Sequence, residues 1–114
     1  MKYHVRVTPL ARRDIQRNAQ WWASEHSAEQ AERWFNAVHE QLQTLAQFPE
    51  SHGLSPENDE FPVELRDKLI GLGSQRSYRA VFTIQGDTVH VLTVRRGAQQ
   101  RLHPLDLPDK WNND

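Results

Sequence analysis

The stretch Tyr78-Arg79-Ala80-Val81-Phe82-Thr83-Ile84-Gln85-Gly86-Asp87-Thr88-Val89-His90-Val91-Leu92-Thr93-Val94-Arg95-Arg96-Gly97 decides how this chain folds. Its halves are runs of β-branched and aromatic residues joined by Gln85-Gly86-Asp87, the composition of a tight β-hairpin. Both runs are apolar on both faces: Phe82 and Ile84 against Val81, then Val89 and Val91 against Leu92 and Val94. A strand wetted on one side alternates apolar with polar residues, so this hairpin belongs in the middle of a sheet with something packed on its faces. Arg79 near its start and Arg95 and Arg96 at its end mark a sheet rim. Guanidinium groups placed there can be aimed at a phosphate or a carboxylate.

The residues upstream supply the rest of the sheet and a helical layer. Tyr3, Val5 and Val7 alternate with His4 and Arg6, the period of a short strand. Thr8-Pro9 then ends that strand and starts a helix, with threonine as N-cap and proline in the first helical position. Ala11, Ile15, Ala19 and Trp22 share one face of it, while Arg12, Arg13, Arg17 and Gln20 occupy the others. Ser27 followed by Gln30 is a capping-box signature for a second helix. Its apolar stripe reads Ala28, Ala31, Phe35, Val38, Leu42 and Leu45, stopped by Pro49, with Glu29, Glu32, Arg33 and Glu40 on the outside. The short join around Ser24-Glu25-His26 makes the pair an antiparallel helical hairpin. Of the tryptophans, Trp22 is assigned to the core. Trp21 and Trp34 cannot both share its face, which leaves one available to a partner.

Residues 49–62 form a polar loop rich in proline and acid, long for a compact domain. A further strand runs from about Leu65 to Leu72, with helix as the alternative for its first half, and the β-hairpin follows. The order is β-α-α-β-β-β. It describes an α+β fold in which a helical hairpin packs on a small, twisted, mostly antiparallel sheet. Residues 1–103 make a single domain and residues 104–114 a C-terminal tail.

At 114 residues the chain suits one core, and 37% apolar with 25% charged residues is an ordinary globular balance. It contains no cysteine, which excludes a disulfide scaffold and thiolate catalysis. No apolar run approaches the roughly 20 residues that span a bilayer, and no signal-peptide block follows the N-terminus, so the expected compartment is the cytoplasm. The net charge of −1 conceals an asymmetry. Residues 1–62 hold six Lys/Arg against nine Asp/Glu, whereas residues 63–103 hold seven against three. Positive charge therefore gathers on the sheet, in a field much weaker than that of a dedicated nucleic-acid binder.

With these landmarks in this order, residues 3 to 99 resemble the RelE/ParE superfamily of toxins from bacterial type II toxin–antitoxin systems. The resemblance rests on Thr8-Pro9-Leu10-Ala11 with Asp14-Ile15, on the second-helix stripe, on Tyr78-Arg79-Ala80-Val81-Phe82, and on Val91-Leu92-Thr93-Val94-Arg95-Arg96-Gly97-Ala98. It implies a toxin, of the kind associated with plasmid stabilisation, that inhibits growth and is neutralised by a cognate antitoxin within a hetero-oligomer. The ParE-like form of that expectation is inhibition by binding a protein target such as DNA gyrase. The RelE-like alternative is a ribosome-dependent mRNA endonuclease that works without a metal. A further alternative is an inactive member serving only as an interaction partner. Arg96 stands where many relatives carry histidine and Gln99 where many carry arginine, and Gly71 to Ser77 carries few basic residues. These departures weigh toward the ParE-like form.

Under the endonuclease alternative the 2′-hydroxyl attacks the adjacent phosphate, which requires a base, an acid and cationic stabilisation of the transition state. Arg79, Arg95, Arg96 and His103 are the residues that could take part. Arg66, Lys68, Arg76, Arg79, Arg95 and Arg96 are candidates for holding phosphate or an antitoxin. Arg79 has a competing role as a structural ion-pair residue, with Asp14 or the C-terminal carboxylates as partners, and Tyr78 reads as a packing residue beside it. His90 reads as a surface or half-buried residue without a special role. His4, His26, His39, His52, His90 and His103 lack metal-ligand spacing, and Gly71-Leu72-Gly73 lacks the third glycine of a dinucleotide loop. No metal or cofactor is called for.

Overall fold

The computed structural model describes residues 2–73, 76–97 and 101–108. Strand β1 (His4–Val7) leads into helices α1 (Pro9–Glu25) and α2 (Ala28–Gln43), followed by β2 (Arg66–Ile70), β3 (Tyr78–Gln85) and β4 (Thr88–Arg96). Short 3₁₀ turns occupy Thr44–Ala46, Pro49–Ser51, Asn58–Glu60 and Pro104–Asp106. The sheet has the order β1-β4-β3-β2. β2, β3 and β4 form an antiparallel meander, and β1 lies parallel to β4 at one edge. The β3–β4 hairpin is therefore central, as its apolar composition requires. Gly86 turns it with φ +61°, a conformation that costs glycine nothing.

Each face of the hairpin is covered by something different. On one side the helical pair buries Ala11, Ile15, Trp34, Val38 and Leu42 against Tyr78, Ala80, Phe82, Val89, Val91 and Val94. On the other, Val81 and Leu92 meet Leu65 and Leu102, with Phe61, Val63 and Leu107 packed around them. The second layer is built from the 49–64 loop and the 101–108 segment rather than from regular elements.

A β-bulge ties the helices to the sheet. Val81 pairs with Thr93 and Phe82 with Val91, so Leu92 is an extra residue in β4. The Thr8 hydroxyl, while capping α1 at Ala11, donates to the carbonyls of Val91 (2.8 Å) and Leu92 (3.2 Å). Six residues on, the buried Asp14 carboxylate accepts from the Thr93 hydroxyl and from the Val94 N–H (3.2 Å). Backbone groups that the bulge removes from the ladder are thus satisfied by the first turns of α1. Ala11, fully buried, has the small side chain that this close approach allows.

Two expectations about aromatic residues are corrected. The stripe of α2 runs Ala31, Trp34, Val38, Leu42; Trp34 is fully buried, and Phe35 is 40% exposed. Positions 34 and 35 both satisfy helical spacing to 31 and 38, so periodicity alone does not separate them. The core tryptophan is accordingly Trp34. Trp22 packs at the margin of the core and donates from Nε1 to the Tyr78 hydroxyl (3.2 Å).

Candidate functional site

Because successive residues of a strand face opposite ways, the candidate arginines are divided between the two sides of the sheet. Arg79 and its neighbour across the strands, Arg95, lie on the side away from the helices. Arg79 is only 5% exposed. Its guanidinium donates to both carboxylate oxygens of Glu57, at 3.0 Å to Oε1 and more closely to Oε2, and to Asp67 Oδ2 at 3.1 Å. Glu57 comes from the long loop and Asp67 from β2, one pair further along the sheet. The Ser55 hydroxyl donates to Asp67, and the Leu102 N–H donates to Glu57 at 2.7 Å. Burial opposes ionisation of Glu57. The hydrogen bonds and charge of Arg79, with the Leu102 N–H, outweigh it and hold the carboxyl below its ordinary value. Burial likewise opposes the Arg79 cation, but Glu57 and Asp67 raise its pKa above the usual arginine value.

Around this cluster lies a cavity of about 360 Å³ lined by Pro56, Glu57, Asp67, Leu69, Arg79, Gly97 and Arg101. Arg101 is paired with Glu60, and Arg95 approaches Asp106 at 3.5 Å. Among the described residues, Arg79, Arg95 and Arg101 on this side thus face four carboxylates: Glu57, Asp67, Glu60 and Asp106. Neither histidine nor tyrosine lines the cavity among the described residues. The surface is neutral to acidic, which is the wrong polarity for gripping phosphate.

The remaining candidates lie elsewhere. Arg96 stacks over Trp21 at 4.7 Å, near the turn that joins the two helices. Arg66 donates to the carbonyls of Glu50 (3.2 Å) and His52 and to the Glu64 carboxylate, tying down the loop. Lys68 faces the helical side of β2, and Arg76 borders a hollow shared with Glu40, Gln41 and Thr44 of the α2 region. His103 is exposed, and its backbone N–H is held by Asp106 at 2.8 Å. Of the residues named for RNA cleavage, Arg79 and Arg95 share one side of the sheet, where Asp106 links Arg95 to the backbone of His103, and Arg96 lies on the helical side. Of the two partners anticipated for Arg79, Asp14 is engaged on the helical side by Thr93, Val94 and Arg17. Ala98, Gln99 and residues 109–114 lie outside the described residues.

The family model described as the ParE toxin of the type II toxin–antitoxin system parDE matches residues 5–101. The chain belongs to the ParE toxin family. A solved structure from a chromosomal ParDE toxin–antitoxin system of P. aeruginosa is similar in fold, with a TM-score of 0.69 over 84% of this chain and 97% of that one at 19% identity. No curated protein sequence matches the chain.

Within this ParE-family chain, the landmarks of the sequence have structural explanations. The threonine, alanine and aspartate of its opening helix meet the bulge in β4, and the tyrosine–arginine pair of β3 supplies one residue to each layer. Tyr78 is buried against Trp34, and Arg79 is buried against Glu57. Reading the sequence missed Glu57 and Asp67 altogether. The available signal was the excess length and acidity of residues 49–62, together with an arginine inside an otherwise apolar strand that needed a counter-charge.

Proposed function

We propose that this ParE-family chain is a toxin that arrests growth by binding a protein target in the cytoplasm, DNA gyrase by family resemblance, and that a cognate antitoxin neutralises it in a hetero-oligomer. The observation that carries this reading is the Glu57–Arg79–Asp67 cluster. A phosphate brought to Arg79 would meet two carboxylates already bound there, and its charge would be repelled rather than clamped. RNA cleavage at this site would also need a free proton donor and acceptor, and the two carboxylates of the described cavity lining, Glu57 and Asp67, are both held by Arg79. Binding needs neither. The surfaces offered to partners are the helical hairpin, with Phe35 exposed on α2, and the cations Lys68, Arg76 and Arg96, with Arg66, Arg79 and Arg95 braced beneath the loop and the C-terminal segment.

Induced expression in bacteria tests the proposal, with growth, plasmid supercoiling and ribosome-bound mRNA ends followed together. Growth arrest with loss of supercoiling by gyrase and intact mRNA is the expected result. Codon-phased cuts would replace the proposal with RNA cleavage, and unimpeded growth would mark the chain as an inactive family member.

A further inference from the structure

β2 is an edge strand, and only half of its outer edge is covered. The Ser55 N–H donates to the Leu65 carbonyl (2.8 Å) and the Asp67 N–H to the Gly53 carbonyl (3.1 Å), with Leu54 bridged to Arg66. Two residues beyond Asp67, the N–H and C=O of Leu69 point the same way, and nothing among the described residues pairs with them. The Leu69 side chain is 61% exposed and lines the cavity beside Arg79.

The opposite face of the same strand carries an unanswered charge. Lys68 is half-buried, and no carboxylate lies within ion-pair distance of it among the described residues. Its electrostatic neighbours are cations. Burial, then Arg76, push the Lys68 ammonium below the ordinary lysine value, and burial, then Lys68 and Arg66, push His52 down. Glu40 shares a hollow with Arg76 but is not paired with Lys68. A half-buried cation among cations is costly unless something supplies the counter-charge. A lysine on an open edge also discourages pairing with a second copy of the same strand, since the two lysines would repel. The edge thus rejects itself and favours an acidic guest.

We propose that the open edge of β2 at Leu69 is a strand-addition site for an extended segment of a partner protein, in which an acidic residue reaches Lys68 and an adjacent apolar residue packs on Leu69. The proposal rests on the reading that this chain acts through protein partners. Backbone hydrogen bonds to Leu69 would hold the segment, and the alternation of acid and apolar side chains would set its register, because neighbouring residues of an added strand fall on opposite faces.

The test uses the isotope-labelled full chain titrated with two synthetic decapeptides, one alternating valine with glutamate and the other valine with lysine. The valine–glutamate peptide should shift the Leu69 amide resonance saturably and slow its hydrogen exchange. The valine–lysine peptide should bind weaker by about tenfold or more, from charge mismatch alone. Lys68→Glu should invert that order. Leu69→Pro removes the outward N–H without touching the β3 ladder and should abolish the response. A Leu69 amide that responds to neither peptide, or equally to both, or identically in the Lys68→Glu variant, overturns the inference. Growth arrest on expression is scored separately. Arrest without peptide selectivity overturns the edge site alone, and selectivity without arrest overturns the toxin reading and leaves the edge site standing.

Discussion

Removal of the Arg79 guanidinium would strand Glu57, whose side chain is only 1% exposed. Breaking one side of such a buried pair costs about 3–5 kcal/mol, whereas replacing both partners with apolar groups of similar size is often neutral. Arg79→Ala should therefore lower the melting temperature by about 10 °C or more. The double substitution Glu57→Gln with Arg79→Met should recover much of that loss. A melt unchanged in Arg79→Ala would mean that the pair contributes nothing to the fold. The same residues set a pH dependence. Glu57 titrates below its ordinary value in the folded chain, so its contribution is present above the unfolded carboxyl pKa and is lost as pH falls through the lower, folded one. Melting curves between pH 7 and 3 should show a steeper acid limb for the wild type than for Glu57→Gln, with the variant already less stable at pH 7.

Among the elements, α2 gives the sharpest contrast because two adjacent aromatic residues have opposite surroundings. Trp34→Ala should cost about 3–5 kcal/mol, as expected for emptying a large buried site. Phe35→Ala, at 40% exposure, should stay within about 0.5 kcal/mol. Denaturant titrations of the two variants measure both, and equal costs would contradict the placement of Trp34 in the core. The helices, the β-hairpin and the opening strand were all legible from residue spacing, since their periods are local properties of the chain. The caps Thr8 and Ser27 were legible for the same reason. Which face of α2 turned inward was not, because 34 and 35 fit one stripe equally well and only the sheet chose between them. The parallel placement of β1 beside β4 was also beyond local pattern: it depends on where the helical pair returns the chain.

For the molecule as a whole, the 101–108 segment closes the second layer of the core. Leu102 is fully buried, and Leu107 packs on the same cluster. Deleting residues 101–114 should expose Leu65, Val81 and Leu92, lower the melting temperature and raise binding of a hydrophobic dye. Absence of both effects would show that the segment is dispensable to the fold. Three half-buried histidines add a global acid sensitivity. Burial, then the nearest cation, holds His39, His52 and His90 below their ordinary value. Their contribution is present above the unfolded value near 6.5 and is lost as pH falls through the lower folded values, ahead of the Glu57 limb. Replacing all three with glutamine should flatten the stability curve as pH falls below about 6.5.

The amino-acid sequence by itself determined the elements, their order, the central place of the hairpin and the family resemblance. Each of these is encoded in contacts between residues two to four positions apart or in short motifs. Tertiary structure alone decided what each arginine does. Arg79 meets Glu57 from 22 residues away, and Thr93 meets Asp14 from 79 away. Such pairings follow from strand register, the bulge at Leu92 and the path of an irregular loop, none of which leaves a periodic trace in the chain. The hairpin's arginines could be counted from sequence. Their partners, and hence the neutral to acidic character of the surface around Arg79, emerged only when the chain was folded.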